Sequence, residues 1–148
     1  MFERQIMTHL RQWKGKSNHK PLVLRGARQV GKTTVIDAFG KEFDNYLYFN
    51  LDEDGDRALF ERNISLDDLI DSLFARLGMR KKEGSTLLFI DEIQSSPQTI
   101  SLLRYFKEKR PDIHVISAGS LLENVVDVKV SFPVGRVDYM ALRPCSFY

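Results

Sequence analysis

The sequence contains a single cysteine, Cys145, only three histidines, and no long uninterrupted run of apolar residues. One cysteine excludes an intrachain disulfide, and His9, His19 and His114 do not have the spacing of a metal site. No segment approaches the roughly 18 apolar residues of a membrane span. The N-terminal segment "MFERQIMTHLRQW" is charged from its third residue, unlike a signal peptide. These absences predict a cytoplasmic protein with no membrane partner.

Composition and charge are those of an ordinary globular protein, with one uneven feature. The 148 residues are 43% hydrophobic and 28% charged, which predicts a single domain with its own core. The net charge is only +2, yet residues 1–41 carry nine basic and two acidic side chains, whereas residues 42–71 carry two basic and ten acidic ones. We interpret the basic third as a solvated surface that attracts an anion, rather than as a nucleic-acid interface.

Short apolar segments alternate with segments of helical periodicity. Strands are predicted at "PLVLRG", "NYLYFNLD", "TLLFIDE" and "IHVISAGS", with a last strand around Val137–Leu142. Helices are predicted at "FERQIMTHLRQW" and "GKTTVIDAFGKEF", between Ser65 and Gly78, and after Ser96-Pro97. The segment "DEDGD" lacks the glycine position of a calcium loop and is interpreted as a solvated loop. This alternation predicts an α/β fold whose parallel sheet is covered on both faces and binds ligands beyond the carboxyl ends of its strands.

The segment "GARQVGKTT" lies between the first buried strand and the helix that follows it. Its spacing, G-x-x-x-x-G-K-T, lets successive backbone N–H groups curl around a phosphate at a helix N-terminus. Lys32 is predicted to contact the β- and γ-phosphates, Thr33 to ligate Mg²⁺, and Thr34 to contact the α-phosphate. The predicted nucleotide-binding residues are Gly26, Ala27, Arg28, Gln29, Val30, Gly31, Lys32, Thr33 and Thr34.

Two carboxylates, Asp91 and Glu92, end the apolar segment "TLLFIDE". Asp91 at a strand end can hold Mg²⁺, and Glu92 beside it can polarise a water for attack on the γ-phosphate. The pair favours a hydrolase over a small-molecule phosphotransferase. The chain has no [N/T]-K-x-D element, which disfavours GTP, and no "LSGGQ"-like signature, which disfavours a transporter subunit.

Four polar residues elsewhere each have two interpretations. Ser117 and Ser120, near the end of the fourth strand, would sense the γ-phosphate or merely cap the strand, and Ser120 is the better candidate for the sensor. Arg136 in "PVGRVD" would be an arginine finger or a structural ion-pair partner. Gln94 would orient a water or cap the loop after the third strand.

Several segments in this order resemble a known family: "KPLVLRGARQVGKTT", "LLFIDEIQSSP", "VISAGSLL", "SFPVGRVDYMAL" and "RPCSFY". They look like the predicted AAA+-superfamily ATPases of bacteria and archaea, which pair an N-terminal AAA-type domain with a C-terminal domain of unknown function. The resemblance implies an ASCE/AAA-type P-loop NTPase fold. This fold is a three-layer α/β/α sandwich around a parallel sheet of about five strands in the order 5-1-4-3-2.

The family's functional residues match positions of this chain. Walker A would be formed by Gly26, Gly31, Lys32 and Thr33, and Walker B by Asp91 and Glu92. Ser120 lies in the sensor segment, Arg136 matches the arginine of the "GR" element, and Pro144 falls near the expected position of the adenine. The implied cofactors are ATP and Mg²⁺. Family members continue beyond the position of Tyr148, so residues 1–148 are expected to be an AAA-type ATPase core, either isolated or truncated, without the C-terminal domain.

The expected function is Mg²⁺-dependent ATP binding and hydrolysis that drives a conformational change in an attached or partner module. The alternative is an ATP-binding switch with negligible hydrolysis in isolation. An arginine finger at Arg136 would act in the same subunit or across a homo-oligomer. Nothing in the sequence selects a protein or a nucleic acid as the target.

Overall fold

The fold is an α/β sandwich, seen in a computed structural model that describes residues 2–26, 31–119, 135 and 137–142. The helices in this part of the chain are α1 (Phe2–Gly15), α2 (Lys32–Gly40), α3 (Asp54–Phe60), α4 (Leu66–Arg76) and α5 (Pro97–Lys109). The strands are β1 (Leu22–Gly26), β2 (Asn45–Asn50), β3 (Thr86–Asp91), β4 (Ile113–Ala118) and β5 (Asp138–Leu142), and a 3-10 turn follows β3 at Ile93–Ser95. No helix among these residues is long and apolar enough to cross a membrane.

The strands form one sheet in the order β2-β3-β4-β1-β5, and every neighbouring pair is parallel. This is the order 5-1-4-3-2 that the family resemblance implies, so the prediction is confirmed. In the centre of the sheet, Ser117 of β4 pairs with Val23 of β1 on one side and with Ile90 of β3 on the other. All five carboxyl ends therefore meet at the same edge of the sheet.

Each face of the sheet packs against its own group of helices. One core cluster joins alternate strand residues to α1 and α2, and contains Trp13, Phe39 and Phe89. The other joins the intervening strand residues to α3, α4 and α5, and contains Phe60, Phe74 and Phe106. Because successive residues of a strand point to opposite faces, a strand buried along its whole length, such as β3, supplies both clusters. The predicted three-layer α/β/α arrangement is confirmed.

Local signals fix the helix ends. The Ser65 side chain accepts a hydrogen bond from the Asp68 N–H, and Ser96 caps α5 in the same way, ahead of Pro97 at its first position. Gly78 has a φ of 65°, and after α4 the bonds Gly78 N–H to Ala75 O and Met79 N–H to Phe74 O form a Schellman motif. These predicted boundaries are confirmed.

The interpretation of "DEDGD" as a solvated loop was wrong, because α3 begins inside it at Asp54. Asp54 and Asp56 occupy the first turn, where carboxylates interact favourably with the positive end of the helix dipole. Asp56 also accepts a hydrogen bond from the Asn50 N–H and pairs with Arg76 of α4 at 2.6 Å. Leu59 and Phe60 are buried, so this short helix is held by two apolar residues and by the contacts of its charged side chains.

Candidate functional site

The candidate site includes the start of α2, the helix that follows β1 in the chain. Gly31 precedes the helix with a φ of 70°, in the left-handed region that favours glycine. No side chain of the described residues caps α2, and its first turn contains no acidic residue. The first backbone bond of the helix is Val35 N–H to Gly31 O, so the N–H groups of Lys32, Thr33 and Thr34 have no partner within the helix. This end of α2 is suited to an anion.

Lys32 meets Asp91 across the carboxyl edge of the sheet. The Lys32 Nζ lies 3.6 Å from Asp91 Oδ1, and the two side chains are 11% and 6% exposed. The separation is that of an ion pair rather than a hydrogen bond. The structure thus brings together the predicted phosphate-binding lysine and the predicted Mg²⁺ ligand, although they lie on different elements and far apart in the chain.

The Asp91 carboxylate is held by two further donors. The Tyr48 hydroxyl donates to Oδ2 at 3.0 Å, and the Glu92 backbone N–H donates to Oδ1 at 2.9 Å. Burial, and then the charge of Asp91, raise the pKa of Tyr48 above its ordinary value, so the phenol remains a protonated donor. Buried carboxylates are costly unless paired and hydrogen-bonded, and Asp91 has both kinds of partner.

Tyr48 contacts the predicted Mg²⁺ ligand Asp91, and the sequence did not single it out. The burial of β2 alternates strictly, with Tyr46, Tyr48 and Asn50 half-buried between fully buried neighbours. The register pairs Tyr48 with Phe89 and Asn50 with Asp91, so these tyrosines share a face with the acidic end of β3. The period-two pattern of "NYLYFN" was the available signal, but the partner strand and register were needed to interpret it.

Glu92 has an unusual backbone and a specific partner. Its φ of 51° and ψ of 46° are left-handed, and it is the one non-glycine residue with positive φ in the described part of the chain. The Gln94 Nε2 donates to Glu92 Oε1 at 2.8 Å. A carboxylate only accepts, so the amide nitrogen must face it. The Gln94 Oε1 is buried and has no partner among the described residues. Gln94 therefore contacts the predicted general base.

Ser117 lies on the other face of the sheet from Asp91. It is fully buried, pairs in register with Ile90, and its hydroxyl has no hydrogen-bond partner among the described residues. Asp91 follows Ile90 and points to the α2 face, so the two side chains diverge. The structure does not bring Ser117 to the predicted phosphate site.

The other predicted site residues have simple placements. Gly26 ends β1. In the first turn of α2, Thr33 is half-buried and Thr34 is exposed. The remaining predicted residues lie outside the described part of the chain, and they are Ala27, Arg28, Gln29, Val30, Ser120, Arg136 and Pro144.

The donor set at this edge fits Mg²⁺ bound together with a nucleotide. Among the described residues there is no group of three or more His, Cys, Asp or Glu side chains that could hold a metal ion. Mg²⁺ commonly takes only one or two protein ligands and completes its shell with phosphate oxygens and waters. The buried Asp91 carboxylate, together with the hydroxyl of Thr33 at the start of α2, fits that requirement.

Comparison with known proteins gives one family. A family model described as an AAA domain matches residues 18–148. No curated protein matches the chain.

Solved structures with this fold include the Walker-type ATPase PABY2304 of Pyrococcus abyssi, with a TM-score of 0.58 and 18% identity over 97% of this chain and 54% of that one. Drosophila ORC bound to DNA has a TM-score of 0.64 and 17% identity over 95% of this chain and 42% of that one. PCH-2 of C. elegans has a TM-score of 0.54 and 12% identity over 94% of this chain and 42% of that one. The chain spans about half the length of these proteins or less, and at such identities the likeness shows the fold alone.

Proposed function

The chain belongs to the AAA domain family, and from that premise we propose that it binds ATP with Mg²⁺ between α2 and β3 and hydrolyses it. The observation that carries the proposal is the approach of Lys32 to Asp91, 3.6 Å apart, beside a helix N-terminus without a side-chain cap among the described residues. A cation, a row of N–H donors and a buried carboxylate are the groups that a nucleotide triphosphate with its metal requires.

Each of these groups has a distinct task in the proposal. The N–H groups at the start of α2 and the Lys32 ammonium bind phosphate oxygens, as expected for the G-x-x-x-x-G-K-T segment. Asp91 and Thr33 would hold Mg²⁺. When bound, Mg²⁺ would neutralise charge that develops on the transferred phosphoryl group. Gly31 keeps the backbone in the left-handed conformation that precedes the helix.

Glu92 is proposed as the general base that accepts a proton from the attacking water. It follows Asp91 directly, so it lies at the same carboxyl edge of the sheet. The Gln94 amide bound to its Oε1 fixes the direction of the carboxylate. The left-handed backbone at Glu92 costs free energy for a non-glycine residue, and such residues are concentrated at functional sites.

A second candidate function, an ATP-binding switch with negligible hydrolysis, is favoured by the same hydrogen bond. The Gln94 amide donates to Oε1 of Glu92, and a hydrogen bond to a carboxylate stabilises its charged form and so weakens it as a proton acceptor. If this contact persists with ATP bound, nucleotide binding would signal a conformational state without turnover. In either case the effect is proposed to pass to an attached or partner module. Adenine is the expected base, because the chain has no guanine-reading element.

Substitution of Glu92 by glutamine tests hydrolysis. We expect Glu92→Gln to bind ATP as the unaltered protein does and to lose turnover by roughly 10²-fold or more, because an amide cannot accept the proton of water. Phosphate release and calorimetric ATP affinity are the measurements. Glu53 is an exposed glutamate at the start of α3. Its substitution, Glu53→Gln, is the matched control and should keep full turnover.

The outcomes distinguish the two candidates. Rapid phosphate release that Glu92→Gln leaves unchanged would remove Glu92 from the role of general base. ATP binding with equally negligible turnover in both proteins would favour the switch.

A further inference from the structure

Strand β2 carries two tyrosines on its α2 face, and they have different partners. The Tyr46 hydroxyl donates to Asp37 Oδ1 in the middle of α2. The Tyr48 hydroxyl donates to Asp91 Oδ2 at the end of β3, at 3.0 Å. Two residues along one strand thus connect β2 to both elements that form the proposed nucleotide site.

The contacts of Asp91 define how its carboxylate is oriented. Oδ1 receives the Glu92 N–H at 2.9 Å and faces the Lys32 Nζ at 3.6 Å, whereas Oδ2 receives the Tyr48 hydroxyl. One donor on each oxygen fixes the rotation of the carboxylate about its bond to Cβ. The backbone donor belongs to the strand end, so the Tyr48 hydroxyl is the side-chain donor that sets the orientation.

We propose that Tyr48 is a positioning residue for Mg²⁺ binding, because its hydroxyl holds Asp91 in the orientation in which the carboxylate receives the metal. This inference rests on the proposed function. Outer hydrogen bonds of this kind fix the direction of a ligating side chain, and their loss typically weakens metal affinity about 10- to 100-fold. The ring of Tyr48 packs against Phe89, with ring centroids 5.2 Å apart, so a phenylalanine would preserve that packing and remove only the donor.

Tyr46 is the matched control for Tyr48. It lies on the same strand and face, and its hydroxyl also binds a carboxylate, but that carboxylate belongs to α2. Its ring covers Gly40, where an added Cβ would lie 2.5 Å from the ring. Tyr46 therefore holds the end of α2 against the sheet and has no hydrogen bond with Asp91 among the described contacts. Loss of its hydroxyl should affect stability, not metal affinity.

The test compares ATP affinity with Mg²⁺ and with EDTA by calorimetry, for the unaltered protein, Tyr48→Phe and Tyr46→Phe. The ratio of the two affinities measures the contribution of the metal. We expect this ratio to fall about tenfold in Tyr48→Phe and to stay unchanged in Tyr46→Phe. The affinity in EDTA should be the same in all three proteins. A higher Mg²⁺ concentration should restore ATP affinity in Tyr48→Phe.

Each alternative result has a definite meaning. If the unaltered protein binds ATP no better with Mg²⁺ than with EDTA, the proposed function fails. If Mg²⁺ strengthens its binding and Tyr48→Phe keeps the same ratio, or if both variants lose it equally, only the inference about Tyr48 is overturned. Thermal melting establishes that the variants fold. Failure of Tyr48→Phe to fold where Tyr46→Phe folds would assign the hydroxyl to the fold and would also overturn the inference.

Discussion

At the scale of single residues, the Asp91 carboxylate illustrates how the protein maintains a buried charge. Only 4% of the residue is exposed, and it has a cation, a hydroxyl and a backbone N–H around it. Such a charge is strongly destabilising when a partner is removed, because the burial cost is no longer compensated. Lys32 and Tyr48 therefore contribute to stability as well as to the proposed chemistry.

His114 is a second residue whose environment determines its charge. Its ring stacks on His19 with centroids 3.8 Å apart and meets Trp13 edge-on at 5.2 Å. The Nε2 lies 3.2 Å from the Lys14 carbonyl oxygen, which only accepts, so the neutral ring carries its proton on Nε2. The Nδ1 is buried without a partner among the described residues. Burial, followed by the neighbouring His19, lowers the pKa of His114 to about 4.

This lowered pKa predicts a pH-dependent stability. Between the ordinary pKa of 6.5 and the folded value of about 4, the unfolded chain binds a proton at His114 that the folded protein does not. The free energy of unfolding should therefore fall as the pH decreases through this range. We expect thermal melts at pH 7 and pH 5 to show a smaller loss of Tm in His114→Phe than in the unaltered protein.

An exposed histidine of α1, His9, supplies the control for this measurement. His9→Gln should retain the full pH dependence of the unaltered protein. The account of His114 is wrong if His114→Phe loses as much Tm between the two pH values as His9→Gln does.

Single residues were predictable where a motif fixes both type and spacing. Lys32 and Asp91 were predicted in this way as site residues, and the structure places their side chains 3.6 Å apart. Tyr48 was not, because its contact depends on the register of β2 against β3, which no local pattern encodes. Gln94 had two interpretations, and its bond to Glu92 depends on the left-handed turn after β3.

At the scale of elements, the strands and the longer helices could be predicted from the spacing of their apolar residues. The helix α4 was predicted from its apolar stripe and from signals at both ends, Ser65 and Gly78. The helix α3 was missed, because seven residues hold too little periodicity for a helix to be recognised. Its stability comes from tertiary contacts, among them the Arg57 guanidinium donating to the Leu51 carbonyl at 2.9 Å and the pair of Asp56 with Arg76.

The end of α2 shows a second limit of local reasoning. The segment "GKTTVIDAFGKEF" reads as helical to Phe43, yet α2 ends at Gly40. The Tyr46 ring lies where a Cβ at position 40 would be, so glycine at this position permits β2 to approach the helix. A residue from the next strand thus explains a glycine that the helix alone does not require.

At the scale of the whole molecule, some of the unevenly distributed charges form ion pairs between distant parts of the sequence. Arg11 of the basic first third bonds Glu42 at 2.7 Å, and Arg110 bonds Asp67 of the acidic segment at 3.0 Å. These pairs lie at the surface, where each contributes little to stability. The strand order, by contrast, came from the family resemblance, since parallel strands can be connected in several orders that satisfy the same periodicity.

The arginine finger proposed at Arg136 belongs to this scale, because it would act either in the same subunit or on the nucleotide of a second copy of the chain. Arg136 lies outside the described residues, and Gly135 before it has a φ of 74°, in a turn. If Arg136 acts across an interface, Arg136→Ala should keep ATP affinity and lose the rise of turnover with protein concentration. Mixing it with Lys32→Ala should restore activity, since the second protein supplies the arginine and the first the intact phosphate site.

The alternative to a finger is that Arg136 forms a structural ion pair, and this alternative predicts different results. If Arg136 is an ion-pair partner, Arg136→Ala should melt at a lower temperature with the concentration dependence of turnover unchanged. No recovery of activity in mixtures whose assembly is demonstrated would exclude a finger acting between subunits.

The central claim is that nucleotide phosphates bind at the start of α2 beside Asp91, and titration of Lys32→Ala with ATP and Mg²⁺ by calorimetry tests it most directly. Lys41→Ala is the matched control, because Lys41 is an exposed lysine at the opposite end of the same helix. Thermal melting verifies that Lys32→Ala still folds, since this variant leaves the buried Asp91 carboxylate without its cation. We predict that the unaltered protein and Lys41→Ala bind ATP in preference to GTP, and that Lys32→Ala shows no measurable binding. A folded Lys32→Ala protein with unchanged ATP affinity would contradict the account.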